Sequence, residues 1–120
     1  MVLTRIDHVQ LAMPPGGEDF ARGFYRDLLG LSEEAKPTEL AARGGCWFRS
    51  GAVRVHLGVE ADFRPARKAH PALRVAGFEA LVATLREAGC AISKDGDFEG
   101  AARVYVDDPF GNRLELIADG

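Results

Sequence analysis

Four side chains in this sequence have the chemistry to hold one divalent metal ion: His8, His56, His70 and Glu115. His56 and Glu115 are 59 residues apart, and His8 and His70 are 62 apart. The set takes in all three histidines of the chain. Three neutral imidazoles and one carboxylate make a ligand set of borderline softness. Such a set suits Zn, Ni, Co, Mn or Fe(II) and not Ca or Mg, which want oxygen. Irving–Williams ordering leaves the choice within that group open. On a five- or six-coordinate ion, four protein ligands leave the open positions that a catalytic site needs. A histidine taken alone is ordinarily a packed or surface residue. What points to metal is that the spacing of the four follows a repeat.

The repeat is visible in the elements that must position them. Residues 5–13 (RIDHVQLAM) read as a strand, and Pro14-Pro15-Gly16-Gly17 as a loop. Glu18 to Leu29 has helical spacing, with Phe20, Phe24, Leu28 and Ala21, Tyr25, Leu29 on one stripe and Gly30 at the C-cap. Residues 31–36 predict a short strand, and Thr38–Ala42 can take a helical turn. Gly45–Ser50 and Ala52–Glu60 read as two strands around a Ser50-Gly51 turn. Residues 61–69 (ADFRPARKA) form a polar linker. The order then restarts: strand His70–Val75, helix Phe78–Ala88 ended by Gly89, strand Cys90–Lys94, strand Arg103–Asp107 and strand Arg113–Ala118. Gly30 and Gly89, the two helix stops, are again 59 residues apart.

This order predicts an α+β fold of two βαβββ repeats, residues 1–60 and 70–120, packed as one domain over 1–120. Strand alternation assigns the faces. Val53, Val55, Leu57 and Val59 oppose Arg54, His56, Gly58 and Glu60. Leu114, Leu116 and Ala118 oppose Arg113, Glu115 and Ile117. Each apolar set belongs under its half's helix. The opposite faces then form a curved, cup-like mixed sheet that carries the four ligands, with the helices outside. Gln10, Arg54, Arg74 and Arg103 share that face and are the expected substrate contacts, the arginines through bidentate grip of an anion. Trp47, Phe48 and Phe110 read as core or rim. The DPFGN run at 108–112 is a tight turn whatever else it is.

The bulk composition narrows the class. The chain has 120 residues, 47% hydrophobic and 28% charged, with net charge −3. No basic face is implied, so nucleic acid is not the expected partner. No stretch approaches the eighteen or so apolar residues that cross a membrane. Asp7 and His8 interrupt the region where a signal peptide would be apolar. Cys46 and Cys90 lack the spacing of a zinc or redox motif and read as free thiols. A cytoplasmic protein is expected.

The runs IDHVQLAM (6–13), FYRDLLGL (24–31), HPALRV (70–75) and VDDPFGNRLELI (106–117), in that order, resemble the vicinal oxygen chelate superfamily. That group includes glyoxalase I, fosfomycin-resistance thiol transferases, extradiol dioxygenases, methylmalonyl-CoA epimerase and bleomycin-resistance proteins. The resemblance covers the whole chain and implies a glyoxalase-like fold. It implies that His8, His70 and Glu115, the last in a DPxGxxxE run, are metal ligands. The fourth position, a glutamate in glyoxalase I, is His56 here. Tyr105 matches a tyrosine ten residues before the final glutamate of the fosfomycin enzymes. Their serine- and lysine-bearing loop is not evident in KDGDFEGAAR (94–103).

The resemblance therefore implies a metal-dependent lyase, isomerase or thiol transferase. It would act on a small oxygen-chelating substrate, with Glu115, His56 and Tyr105 as catalytic groups. It also implies a homodimer. Two alternatives share the fold. One is a metal-free protein that sequesters a drug, as bleomycin-resistance proteins do, which would want an acidic, aromatic cleft. The other is a ring-cleaving dioxygenase, a class that usually carries a second domain pair.

Overall fold

The computed structural model describes residues 1–119. It divides into two compact units, Met1–Arg64 and Pro65–Gly120. The boundary falls inside the expected linker.

The first unit is a four-stranded sheet in the order β1-β4-β3-β2, built from β1 (Val9–Met13), β2 (Ser32–Glu34), β3 (Cys46–Ser50) and β4 (Val53–Val59). β1 and β4 run parallel, and the other neighbours are antiparallel. Helix α1 (Glu18–Ala21) follows β1, and the short α2 (Thr38–Ala41) follows β2. Leu11, Met13, Phe48, Val55, Leu57 and Cys46 are buried, and so are Ala21, Phe24 and Tyr25 from the helical segment. They form the apolar side of the unit.

The second unit repeats the plan. Its sheet runs β5-β8-β7-β6, from β5 (Ala72–Val75), β6 (Ile92–Ser93), β7 (Arg103–Asp107) and β8 (Arg113–Ala118). β5 and β8 are the parallel pair. Helix α3 (Phe78–Glu87) follows β5. Val104, Val106, Leu114, Leu116 and Leu85 of α3 are buried. The α+β architecture and the two repeats are therefore as the alternation predicts.

Three local readings need correction. The first strand begins at Val9, so residues 5–8 precede it, and Ile6 is exposed. Likewise His70 stands two residues before β5. The helix after β1 changes its winding: Arg22–Leu28 is a π-helix, in which the Leu29 amide reaches back five residues to the Phe24 carbonyl at 2.9 Å. Phe20, expected on the buried stripe, is 70% exposed. The stripe that is buried runs Ala21, Phe24, Tyr25, and Phe20 lies at its edge.

Candidate metal and substrate site

The two parallel strand pairs set the same frame twice. In the first unit Gln10 pairs with His56, and in the second Ala72 pairs with Glu115. His8 stands two residues before Gln10, and His70 two before Ala72. Each histidine thus precedes the partner of its fourth-strand ligand by one same-face step. The third strands match as well: Trp47 pairs with His56, and Tyr105 with Glu115.

In the second unit, His70 Nε2 lies 3.0 Å from Glu115 Oε1. Its Nδ1 lies 3.1 Å from the Arg67 carbonyl, which can only accept. That bond assigns the hydrogen to Nδ1 and turns the Nε2 lone pair toward a carboxylate oxygen. Two acceptors facing each other at this distance call for a proton or a cation between them. Glu115 is 8% exposed. Its other oxygen accepts from the Arg103 guanidinium at 3.3 Å. Arg103 also donates to the Asp95 carbonyl. Its Nε is buried with no partner among the described residues. Tyr105 stands edge-on to His70, 5.4 Å between ring centres. The guanidinium groups of Arg103 and Arg113 lie 5.3 and 5.2 Å from the Tyr105 ring centre.

The DPFGN turn holds this pair in place. Asp108 Oδ1 accepts from the amides of Phe110 and Asn112, both at 2.9 Å. The Asn112 side chain donates to Asp108 Oδ2 and accepts from the Ala66 amide, each at 2.9 Å. The Ala66 carbonyl accepts from the Arg113 amide at 2.8 Å, and Arg67 donates to Asp107 and to the Gly111 carbonyl. The turn therefore clamps residues 66–67, and the Arg67 carbonyl in turn orients His70.

In the first unit, the His56 ring is held between two others. Trp47 stacks on it at 4.1 Å and 5°, and His8 at 4.0 Å and 16°. His56 is 8% exposed. Burial lowers its pKa first, and the neighbouring His8 lowers it further. Neutral imidazole is the form that binds metal. Asp7 lies 3.4 Å from His8 Nδ1 and 3.0 Å from the Arg54 guanidinium. These residues, with Gln10, Glu34 and Ala35, line a hollow of about 350 Å³.

A family model described as the Glyoxalase/Bleomycin resistance protein/Dioxygenase superfamily matches residues 5–116. The chain belongs to this superfamily. A glyoxalase family protein from Bacillus anthracis is 42% identical, with TM-score 0.94 over 100% of this chain and 98% of that one. A glyoxalase/dioxygenase from Nostoc punctiforme is 25% identical, with TM-score 0.80 over 99% and 93%. The fosfomycin resistance protein FosX from Listeria monocytogenes shares the fold at 10% identity, with TM-score 0.79 over 99% and 96%. No curated protein matches the chain.

Members of the glyoxalase superfamily generally bind divalent metals. The donors here suit such an ion. Ligands about 2.1 Å from one ion at angles near 90–110° stand roughly 3.0–3.4 Å apart. His70 Nε2 and Glu115 Oε1 already do. The Arg67 carbonyl on His70 Nδ1 is the outer-shell partner that a metal-bound histidine usually has. The four candidates occur as two pairs, one in each unit. Among the described residues, no three His, Cys, Asp or Glu side chains are placed so as to hold one metal ion together.

Of the expected substrate contacts, Gln10 and Arg54 lie with the first pair and Arg103 with the second. Arg74 is exposed and pairs with Ile117, on the same sheet face as Glu115. Sequence reasoning missed the roles of Trp47 and Arg67. Trp47 was traceable as the third-strand counterpart of Tyr105. Arg67 orients His70 through its backbone carbonyl, which leaves no mark in residue type.

Proposed function

We propose that this protein is a metal-dependent enzyme of the vicinal oxygen chelate type. It would act on a small oxygen-chelating substrate as a lyase, isomerase or thiol transferase. The observation that carries this reading is His70: its Nδ1–H is spent on Arg67, and its Nε2 is aimed at the buried Glu115 carboxylate, 3.0 Å away. His8, His56, His70 and Glu115 are the proposed ligands of one Zn, Ni, Co, Mn or Fe(II) ion, in a homodimer.

When bound, such an ion polarises the substrate oxygens it holds. The chain's own residues do the rest. Glu115 is the proposed group that accepts or returns a proton. His56, kept neutral by burial, is the second group able to take one. Tyr105 offers a phenolic hydrogen beside His70. Arg103 fixes the Glu115 carboxylate and is itself a proposed substrate contact. Gln10, Arg54 and Arg74 complete the proposed substrate contacts. Cys46 and Cys90 are both free, which suits the cytoplasm.

The test is calorimetric titration of chelator-treated protein with each of the five ions. The expected result is about one equivalent per chain, lost in His70→Ala and in Glu115→Ala. Less than about a tenth of an equivalent with every ion would overturn the reading.

A further inference from the structure

A second hollow, of about 270 Å³, opens beside the first and shares Gln10 and Trp47 with it. Its chemistry is different. Asp7 and Glu34 line the first hollow, but among the described residues no acidic side chain lines the second. Lys36 and Arg43 supply its charge, and Leu40 and Trp47 its apolar wall.

The groove is constructed by backbone constraints. Residues 36–44 form its wall, closed by a bond from the Lys36 ammonium to the Gly44 carbonyl. At the base of that wall, Gly45 has φ +87°, and a Cβ there would stand 2.1 Å from the Leu57 carbonyl oxygen. Only glycine lets this backbone press onto β4. Glu18 pins the same point by accepting from the Gly45 amide at 2.8 Å. On the floor, Gly58 leaves space that the Gln10 amide fills: a Cβ would come within 2.6 Å of Gln10 Nε2.

We propose that this groove binds a carboxylate at the far end of the substrate, while the oxygen-chelating head lies at His8 and His56. The proposal deepens the metal-enzyme reading and rests on it for the head group alone. Lys36 has three donors and spends one on Gly44, so two remain for an anion. Arg43 is exposed and can swing its planar fork onto a carboxylate. A short apolar spacer would lie along Trp47 and Leu40 between the two ends.

Trp47 is the only tryptophan of the chain and lines both hollows, so its fluorescence reports on either. The probes are 4-phenylbutyrate and its neutral amide, titrated into the full chain. The acid is expected to give a saturable change in emission, with the amide at least about tenfold weaker. Lys36→Met and Arg43→Gln should each weaken the acid about three- to tenfold and leave the amide unmoved. Arg43 is a surface side chain, so that variant tests the idea even if Lys36→Met loosens the loop. Equal binding of acid and amide, no saturable response to the acid, or a wild-type response in folded Arg43→Gln would each overturn the proposal. Titration of the same samples with each of the five ions separates the two readings. Acid bound without metal defeats the metal-enzyme reading alone, and metal bound without acid defeats the groove alone.

Discussion

The indole of Trp47 and the imidazole of His56 lie parallel, 4.1 Å apart and within 5°. The contact joins a candidate ligand to the one intrinsic fluorophore of the chain that is an indole. A metal ion on His56 must therefore change Trp47 emission. Ni(II) added to chelator-treated protein should quench it saturably. His56→Ala should abolish the effect, and Lys94→Ala, far along the chain in the second unit, should not. A wild-type quench in folded His56→Ala would remove His56 from the ligand set.

Glu115 is buried between His70 and Arg103. Glu115→Gln leaves the Arg103 charge without its carboxylate. We expect a loss of about 2–3 kcal/mol in urea unfolding, because removing one member of a buried pair strands the other. Arg103→Met in the same background should restore part of it. A double-mutant cycle with no coupling would show that the pair is not energetically joined.

Asn112 is fully buried and ties Asp108 to Ala66. Asn112→Ala should cost about 2–4 kcal/mol by stranding the Ala66 amide and loosening the turn. It should also weaken metal binding about tenfold, since the clamped segment carries the carbonyl that orients His70. Calorimetry on the folded variant reads the second effect. Unchanged affinity would separate the turn from the site.

Gly45 and Gly51 both have positive φ, but only Gly45 faces backbone. Gly51→Ala should cost about 1 kcal/mol from its φ of +58° alone. Gly45→Ala adds the collision with the Leu57 carbonyl and should cost at least about 3 kcal/mol. Thermal unfolding of the two variants side by side measures the difference. Equal losses would show that the 36–44 loop yields freely.

The Glu18 carboxyl is held below the usual carboxylate range, chiefly by the bond from the Gly45 amide. A depressed folded-state pKa stabilises the protein above the unfolded value. That stability is lost as pH falls through the folded value. Stability should therefore decline on acidification between about pH 5 and pH 3. In Glu18→Gln, which keeps an acceptor for Gly45 but cannot titrate, the decline should be shallower. An identical pH profile would show that Glu18 is not linked to folding.

Much of this was legible in the residues. Period-two alternation put Val55 and Leu57, and Leu114 and Leu116, on buried faces as found, because a residue and its next-but-one neighbour share a side whatever the partner strand is; Val53, at the start of its strand, is exposed. The equal spacings of His56 and Glu115, and of the two glycine helix stops, exposed the repeat. The structure realises that repeat as two parallel strand pairs in equivalent register. DPFGN announced its turn through Pro, Gly and the Asp-to-Asn pairing. Phe20 was misplaced because apolar spacing assumes one winding, and the segment changes to π at Arg22.

What the residues alone determined was the fold and the identity of the candidate ligands, since both are written in local pattern and spacing. The tertiary structure decided which atoms face which. It turned His70 Nε2 to Glu115, stacked Trp47 on His56, and pressed Gly45 onto the Leu57 carbonyl. These relations join residues 9 to 45 positions apart through backbone register and side-chain rotamer. Neither quantity is encoded in residue type, and both are set only when the strands pair.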